Sequence, residues 1–114
     1  MIHAFLKRNE ENNIVSFEVT GHAESGAYGT DIVCAAVSAL TIGTTNSLSV
    51  LGGFTPLVET NDEVEGGYLY VELPVGITGK QLTTTQILLE SLLLSLKSIA
   101  EEYPNYVKLN YILD

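Results

Sequence analysis

The composition of this chain limits the classes of protein to which it can belong. It has 114 residues, of which 46% are hydrophobic and 17% are charged, as expected for one globular domain and not for a disordered segment. The 5 basic and 14 acidic residues give a formal net charge of -9, which argues against binding to the phosphate backbone of nucleic acids. With one cysteine the chain cannot form an internal disulfide, so nothing in it indicates an oxidising compartment.

The hydropathy pattern predicts neither a signal peptide nor a membrane span. The first eight residues lack a long apolar core after a basic start. The apolar window around Leu88 to Leu96 is interrupted by Glu90 and is too short to cross a bilayer. We therefore expect a cytoplasmic protein without a membrane partner. Its acidic surface would attract basic partners such as cationic peptides, although acidity also serves solubility alone.

The first half of the chain predicts a hairpin, a glycine-rich loop and a helix. In the stretch from Ile2 to Lys7, apolar residues occupy both odd and even positions, which predicts a strand buried on two sides. Ile14 to Thr20 alternates between apolar and polar residues, which predicts a half-buried partner strand. Asp31 to Leu51 is almost continuously apolar and alanine-rich, which favours a helix with Asp31 as its N-cap. Its Thr- and Ser-rich second half is expected to kink or fray.

The second half repeats the pattern of two strands and a helix and adds a last strand. Leu57 to Asn61 and Gly67 to Leu73 predict strands that are joined by an acidic turn. Thr78 to Gln81 has the spacing of a capping box, and the helix that follows is expected to end near Tyr103. Tyr106 to Leu113 predicts the final strand.

This order, β-β-α-β-β-α-β, predicts an α+β fold in one domain that covers residues 1–114. The expected architecture is a two-layer sandwich in which a mixed, mostly antiparallel sheet carries both helices on one face. On the second helix, Ile87 and Leu94 lie opposite the main leucine stripe with Ser91 between them. This apolar pair marks a candidate partner surface, although isolated exposed leucines are common.

The segment from Gly21 to Cys34 is the candidate for chemistry. If Asp31 caps the helix, the Cys34 thiol lies in the first turn, where free amides and the helix dipole favour thiolate. His22 could meet it as a general base if the intervening glycines let the loop fold back. The alternatives are an inert core cysteine and a loop histidine that bonds only to backbone.

Two further residues have alternative roles at this site. Asp31 either caps the helix or orients His22, and Ser38 either bonds near the sulfur of Cys34 or only packs. Nucleotide binding is poorly supported, because the loop lacks the Lys-Ser/Thr pair and the G-x-G-x-x-G spacing. His3, His22 and Cys34 do not have the spacing of a metal site, so no metal or other cofactor is expected.

The G-H-A of Gly21 to Ala23 and the D-I-V-C-A-A-V-S of Asp31 to Ser38 resemble the Prp family of bacterial ribosomal-processing cysteine proteases. The resemblance runs the whole length of the chain. It implies a homodimeric endopeptidase that removes the N-terminal extension of a large-subunit ribosomal protein, which supports ribosome assembly. It also implies that His22 and Cys34 form the catalytic pair and that the loop between them is mobile and shapes the substrate site.

The residues and the resemblance together predict hydrolysis of a peptide bond. Cys34 would attack as thiolate, His22 would accept and return the proton, and amides at the helix start, including that of Cys34, would bind the oxyanion. The loop residues expected to contact substrate or to let the loop close are Gly21, Glu24, Gly26, Tyr28 and Gly29. The alternative function is a non-catalytic, ribosome-associated or protein-binding module that uses the same acidic surface.

Overall fold

The computed structural model describes residues 1–22, 30–61, 63 and 66–113, with only the backbone at 30, 112 and 113. The elements in chain order are β1 (Ile2–Arg8), β2 (Ile14–Thr20), α1 (Thr30–Gly52), β3 (Leu57–Thr60), β4 (Tyr68–Glu72), α2 (Gly79–Glu102) and β5 (Val107–Leu113). This is the predicted order, and each boundary lies within two residues of its expected position.

The five strands form one sheet in the order β3-β4-β2-β1-β5. β1 pairs antiparallel with β2, β2 with β4 and β4 with β3, whereas β5 runs parallel to β1. The short β1–β2 turn forces an antiparallel pair, while the return through α2 allows a parallel one. Asn9 stabilises that turn, because its side-chain oxygen accepts the backbone amides of Glu11 and Asn13 at 3.0 Å. The prediction of a mixed, mostly antiparallel sheet is confirmed.

The core lies on one face of the sheet. Ile2, Ala4 and Leu6 of β1 are buried, and their neighbours in the sheet on this face, such as Phe17 and Val107, are buried as well. The alternate side chains of β1 are only half-buried. The prediction that β1 is buried on two sides is therefore wrong. In the part of the chain that the structure describes, both helices pack on the core face and leave the other face to solvent.

The two helices share one hydrophobic cluster with the sheet. Its helical members are Val33, Cys34, Val37 and Leu48 from α1, and Leu89, Leu92, Leu93 and Leu96 from α2. Gln81 joins the end of α1 to the start of α2, because its Nε2 donates to the carbonyl oxygen of Gly52 at 2.9 Å. The predicted capping box is therefore wrong: Thr78 is the N-cap residue, but its side chain makes no capping hydrogen bond.

Helix α1 is continuous to Gly52, so the expected fraying of its second half is wrong. The hydroxyls of Thr41 and Thr45 donate to the carbonyls of Val37 and Thr41, each at 2.8 Å. These hydroxyls are satisfied within the helix, on carbonyls that also accept the backbone amides of the next turn. The helix stops where Gly53 adopts the left-handed conformation, with φ of 72°.

One helix of the described residues, Asp31–Gly52, is long and apolar enough to cross a membrane by length and composition alone. The core helices of water-soluble proteins meet the same criterion. The Leu88 to Leu96 window, on which the sequence-based expectation rested, does not meet this criterion. In this fold, α1 packs against the sheet and α2 through one side only, and 28% of its apolar window is buried.

Gly21 ends β2 in a conformation that other residues rarely adopt. Its φ is 82°, and a β-carbon at this position would overlap the carbonyl oxygen of Met1 and lie 3.2 Å from the carbonyl carbon. Its amide donates to the carbonyl of Gly67 at 3.3 Å. Gly21 is therefore held tightly between β1 and β4, because only glycine has both the backbone freedom and the small size that this position requires.

We expect Gly21→Ala to destabilise the fold by about 1–3 kcal/mol, because alanine adds left-handed backbone strain to the overlap with Met1. The free energy of unfolding in urea measures this effect. The matched control is Gly43→Ala, at an exposed position in α1 where an added β-carbon has no neighbour within 4 Å. That variant should gain about 0.5–1 kcal/mol, since alanine favours a helix over glycine. Equal effects of the two changes would contradict this account of Gly21.

An ion pair joins β1 to α2 at the edge of the core. Arg8 donates through both terminal nitrogens to the two carboxylate oxygens of Glu90, each at 2.8 Å. This hydrogen bond lowers the pKa of Glu90 from its ordinary value of 4.5 and raises that of Arg8. Because the folded-state pKa of Glu90 is depressed, its contribution is present above pH 4.5 and is lost as the pH falls through the folded value.

We expect Glu90→Gln to lower the free energy of unfolding at pH 7 by less than about 1 kcal/mol, since the carboxylate is partly exposed to solvent. The difference from the parent protein should be smaller at pH 3, because Glu90 takes up its proton as the pH falls through its lowered pKa. Unfolding curves at the two pH values test this, with Glu101→Gln on the exposed face of α2 as the control. A loss that is independent of pH would show that the charge is not responsible.

Candidate active site

The Cys34 side chain lies under the end of β2. Cys34 is the fifth residue of α1, and it is 5% exposed on the side of the helix that faces the core. Its Sγ donates a hydrogen bond to the carbonyl oxygen of Gly21 at 3.6 Å. The helix thus places the one thiol of the chain against the residue that precedes His22.

His22 follows directly and is partly buried. Its Nδ1 is buried and has no hydrogen-bond partner among the residues that the structure describes. Burial lowers the pKa of His22 from its ordinary value of 6.5, because a charged ring loses hydration there, and a backbone interaction with Val19 offsets this only in part. The imidazole is therefore neutral at pH 7 and has a nitrogen free to accept a proton.

Ser38 fixes the backbone of His22 to the same helix. Its hydroxyl donates to the carbonyl oxygen of His22 at 3.0 Å. Cys34 and Ser38 lie one turn apart, so they hold the consecutive carbonyls of Gly21 and His22. Of the two roles that the sequence left open for Ser38, the hydrogen bond near the sulfur is the one found, and its acceptor is the backbone carbonyl of His22.

The start of α1 differs from the prediction. The helix begins at Thr30, so Asp31 is its second residue and lies within the first turn instead of at the N-cap. The amide of Cys34 then has the carbonyl of Thr30 as its regular helical partner, and the expectation that it donates to an oxyanion is wrong. The amides of Thr30, Asp31 and Ile32 belong to the first turn, where the positive end of the helix dipole lies.

The remaining predicted site residues divide into two groups. Glu24, Gly26, Tyr28 and Gly29 lie outside the described residues. Gly21 is described, but its role differs from the expected one. It was expected to give the loop the freedom to close, whereas its backbone is fixed between Gly67 and Met1. Within the described part of the chain, no cluster of three or more metal-ligating side chains occurs.

Two contributors to this site were missed by the sequence analysis. The carbonyl of Gly67 receives the Gly21 amide, and the backbone of Met1 fills the space beside Gly21. Gly66 and Gly67 both have positive φ, of 80° and 88°. The adjacent glycines were a usable signal, because such a pair before a strand often marks a close backbone approach.

The arrangement combines the parts of a thiol nucleophile. It holds a buried thiol, a neutral imidazole on the adjoining backbone and the first turn of a helix, whose dipole is positive at this end. A base near a thiol and donors near a developing oxyanion are the requirements of acyl transfer.

Comparison with known proteins agrees with this chemistry. The family model described as "Cysteine protease Prp" matches residues 1–108. The ribosomal processing cysteine protease Prp of Bacillus subtilis is 37% identical over 108 residues, which cover 95% of each chain.

Two solved structures share the fold. The protein SMU.848 from Streptococcus mutans is 40% identical, with a TM-score of 0.89 over 100% of this chain and 96% of that one. The essential ribosomal processing protease Prp from Staphylococcus aureus, in complex with a covalently linked product peptide, is 29% identical with a TM-score of 0.79. That match covers 97% of this chain and 99% of the other. The chain described here belongs to the cysteine protease Prp family.

Proposed function

We propose that this chain is a cysteine endopeptidase that removes the N-terminal extension of a large-subunit ribosomal protein, with Cys34 as nucleophile and His22 as acid and base. The observation that carries the proposal is the hydrogen bond from Cys34 Sγ to the carbonyl oxygen of Gly21. Through this bond the thiol of the D-I-V-C segment lies against Gly21, the residue that precedes His22 in the G-H-A segment. The covalent peptide complex of the Staphylococcus aureus relative supports the same type of chemistry.

In the resting site the sulfur keeps its proton, because a thiol donates to a backbone carbonyl only in its protonated form. For reaction, this proton passes to the neutral His22, whose Nδ1 has no described partner. The sulfur then attacks the carbonyl carbon of the scissile bond, and the carbonyl electron pair moves onto oxygen. Amides in the first turn of α1 are the proposed donors for the resulting oxyanion.

Collapse of the tetrahedral intermediate expels the amine, which takes the proton from the His22 imidazolium, and leaves a thioester on Cys34. A water molecule, deprotonated by His22, attacks the thioester carbon. The sulfur then leaves as thiolate and recovers a proton, so the thiol and the neutral imidazole are restored. Ser38 keeps the backbone of His22 in place during these transfers.

The net charge of this chain and the names of its relatives support the proposed substrate class. Ribosomal proteins bind RNA through basic residues, and a chain with net charge -9 attracts such a segment over several ångströms. The Bacillus subtilis relative is named for ribosomal processing. The proposal further places the enzyme in the cytoplasm as a homodimer.

The first test is cleavage of a synthetic peptide that spans the N-terminal extension and the following residues of a large-subunit ribosomal protein. Mass spectrometry should find a single cut with the parent enzyme and a loss of at least about 10³-fold in kcat/KM with Cys34→Ser. Unfolding curves of both proteins check that the fold is intact. A folded parent enzyme that binds the peptide without cutting it would instead favour the non-catalytic protein-binding module.

The second test uses the burial of His22. Since burial lowers its pKa, the neutral base should persist below pH 6.5 and be protonated only at more acidic pH. The rising limb of kcat/KM against pH should therefore have its midpoint below 6.5. The rate of Cys34 alkylation is also measured against pH. This alkylation profile should change in His22→Ala and stay unchanged in His3→Ala, since His3 lies on the open face of the sheet. An identical alkylation profile in the parent and in His22→Ala would exclude His22 as the base.

A further inference from the structure

The outer edge of β3 is a feature of the fold that the proposed mechanism does not use. β3 is the terminal strand of the sheet, and within the described part of the chain no strand pairs with its outer side. All four of its residues, Leu57–Thr60, are exposed, including two apolar side chains, with Leu57 at 49% and Val58 at 43%. A strand with one unpaired side can accept a further strand from another chain.

Two residues of β3 direct their backbone groups to this outer edge. The amide of Asn61 donates to the carbonyl oxygen of Tyr68 at 3.3 Å, so these two residues form a hydrogen-bonded pair. Bonded and non-bonded pairs alternate along antiparallel strands, so Glu59 also bonds to β4. The amides and carbonyls of Val58 and Thr60 therefore point away from β4, where an added strand can bond to them.

The charge on this side of the sheet is negative throughout. No Lys or Arg occurs from Asn9 to Gly79, so β2, β3 and β4 carry carboxylates without a basic side chain. The opposite side of the sheet differs, because Lys108 lies on β5 and Lys7 and Arg8 lie on β1. A basic segment is therefore attracted to the β3 edge in preference to the β5 edge.

Glu59 is the carboxylate that an added strand meets first. It lies on the open face of the sheet, opposite Tyr70. On the same face, Glu18 accepts the hydroxyl of Tyr68 and Glu72 accepts that of Tyr70. In the described part of the chain, Glu59 makes no hydrogen bond or ion pair through its side chain. A basic residue opposite it on an added strand has its β-carbon about 5 Å away, within reach of an ion pair.

We propose that β3 binds an extended basic segment of the protein substrate as a further, antiparallel strand of the sheet. This assignment rests on the proposed function and adds a second substrate contact outside the catalytic residues. Backbone bonds to Val58 and Thr60 supply affinity, while basic side chains face Glu59 and apolar ones cover Val58. The antiparallel direction is the more stable one per residue. A second copy of this acidic chain suits the edge less, because its own carboxylates repel Glu59.

The direction of the added strand determines which part of the substrate it contains. Thr20 of β2 lies beside Tyr68 of β4, which lies beside Asn61, so β2 and β3 end at the same end of the sheet, next to His22. A strand antiparallel to β3 begins at that end, so it contains the residues that follow the scissile bond. Three strand spacings separate it from β2, roughly 14 Å, which an extended chain covers in about four residues.

The apolar groove of α2 is the comparison surface. Ile87 and Leu94 are 65% and 66% exposed, as expected of the side of α2 opposite the main leucine stripe. Both line a groove together with Glu90. The carboxylate of Glu90 is already paired with Arg8 at 2.8 Å, so this groove attracts a basic segment less than the β3 edge does.

Cleavage of two peptides tests the contact with β3. The long peptide extends about ten residues beyond the scissile bond and contains basic residues there, whereas the short one stops after about three, before β3. The ratio of their kcat/KM values, long over short, isolates the contribution of β3. Glu59→Lys should lower this ratio about tenfold, because like charges then face each other. The control Glu101→Lys makes the same change in net charge at an exposed site on α2 and should keep the parent ratio.

Two further variants test the backbone and the charge separately. Thr60→Pro removes an amide that points to the outer edge, a position where edge strands tolerate proline, and should lower the ratio about tenfold. Unfolding curves in urea check that it folds. In Glu59→Lys, a long peptide with glutamates in place of its basic residues should restore the ratio, which a merely structural effect of the substitution does not predict.

Backbone methylation of a peptide tests the direction of the added strand. The probe is a fluorescein-labelled peptide in which lysine and valine alternate, and its binding to the Cys34→Ser protein is measured by fluorescence anisotropy. In the antiparallel register the valine amides bond to β3, so N-methylation of the valines should weaken binding at least about tenfold and N-methylation of the lysines should not. Equal effects of the two methylations, or the reverse order, overturn the proposal.

The remaining outcomes are decisive as well. Cleavage with a ratio that Glu59→Lys leaves unchanged overturns the β3 contact and leaves the protease standing. Probe binding that is lost in Ile87→Asn and kept in Glu59→Lys assigns the segment to the groove of α2 and overturns the proposal. So does a parent dimer in sedimentation equilibrium that Thr60→Pro converts to a monomer, since a second copy then occupies the edge. Probe binding at β3 without cleavage of either peptide contradicts the protease and leaves strand addition standing.

Discussion

The site depends on the left-handed glycine at the end of β2. Gly21 has its amide bonded to Gly67, its α-carbon against the backbone of Met1 and its carbonyl bonded to the sulfur of Cys34. Three elements and the thiol of Cys34 therefore meet at a residue that has no side chain. Any larger residue would separate β2 from β1, and with it the imidazole of His22 from the helix that carries the thiol.

The resting geometry avoids a buried charge. With the sulfur protonated on a carbonyl and the imidazole neutral through burial, neither group carries a charge that the low-dielectric surroundings would penalise. A thiolate and imidazolium formed in advance would have to overcome that cost before substrate arrives. The proposed proton transfer creates the pair only when the scissile carbonyl can use the electrons of the sulfur.

Helix α1 differs on its two sides. Its inner side buries Val33 and Val37 and holds the β2 end through Cys34 and Ser38. Its outer side is exposed, and no charged residue occurs from Ile32 to Gly52. The apolar composition by which this helix meets the criterion for a membrane span thus combines a core-facing side with an uncharged exposed side.

The sequence by itself determined the seven elements and their order, because periodicity and turn residues act over a few neighbouring positions. It also identified the thiol of Cys34 and the imidazole of His22 as candidates for chemistry, because both lie in short sequence motifs. It placed Asp31 at the N-cap, Gln81 in a capping box and Gly21 in a flexible loop, and these were wrong. Only the tertiary structure decided the roles of Gln81 and Gly21, because each depends on a partner distant in sequence: Gly52 for Gln81, and Met1 and Gly67 for Gly21.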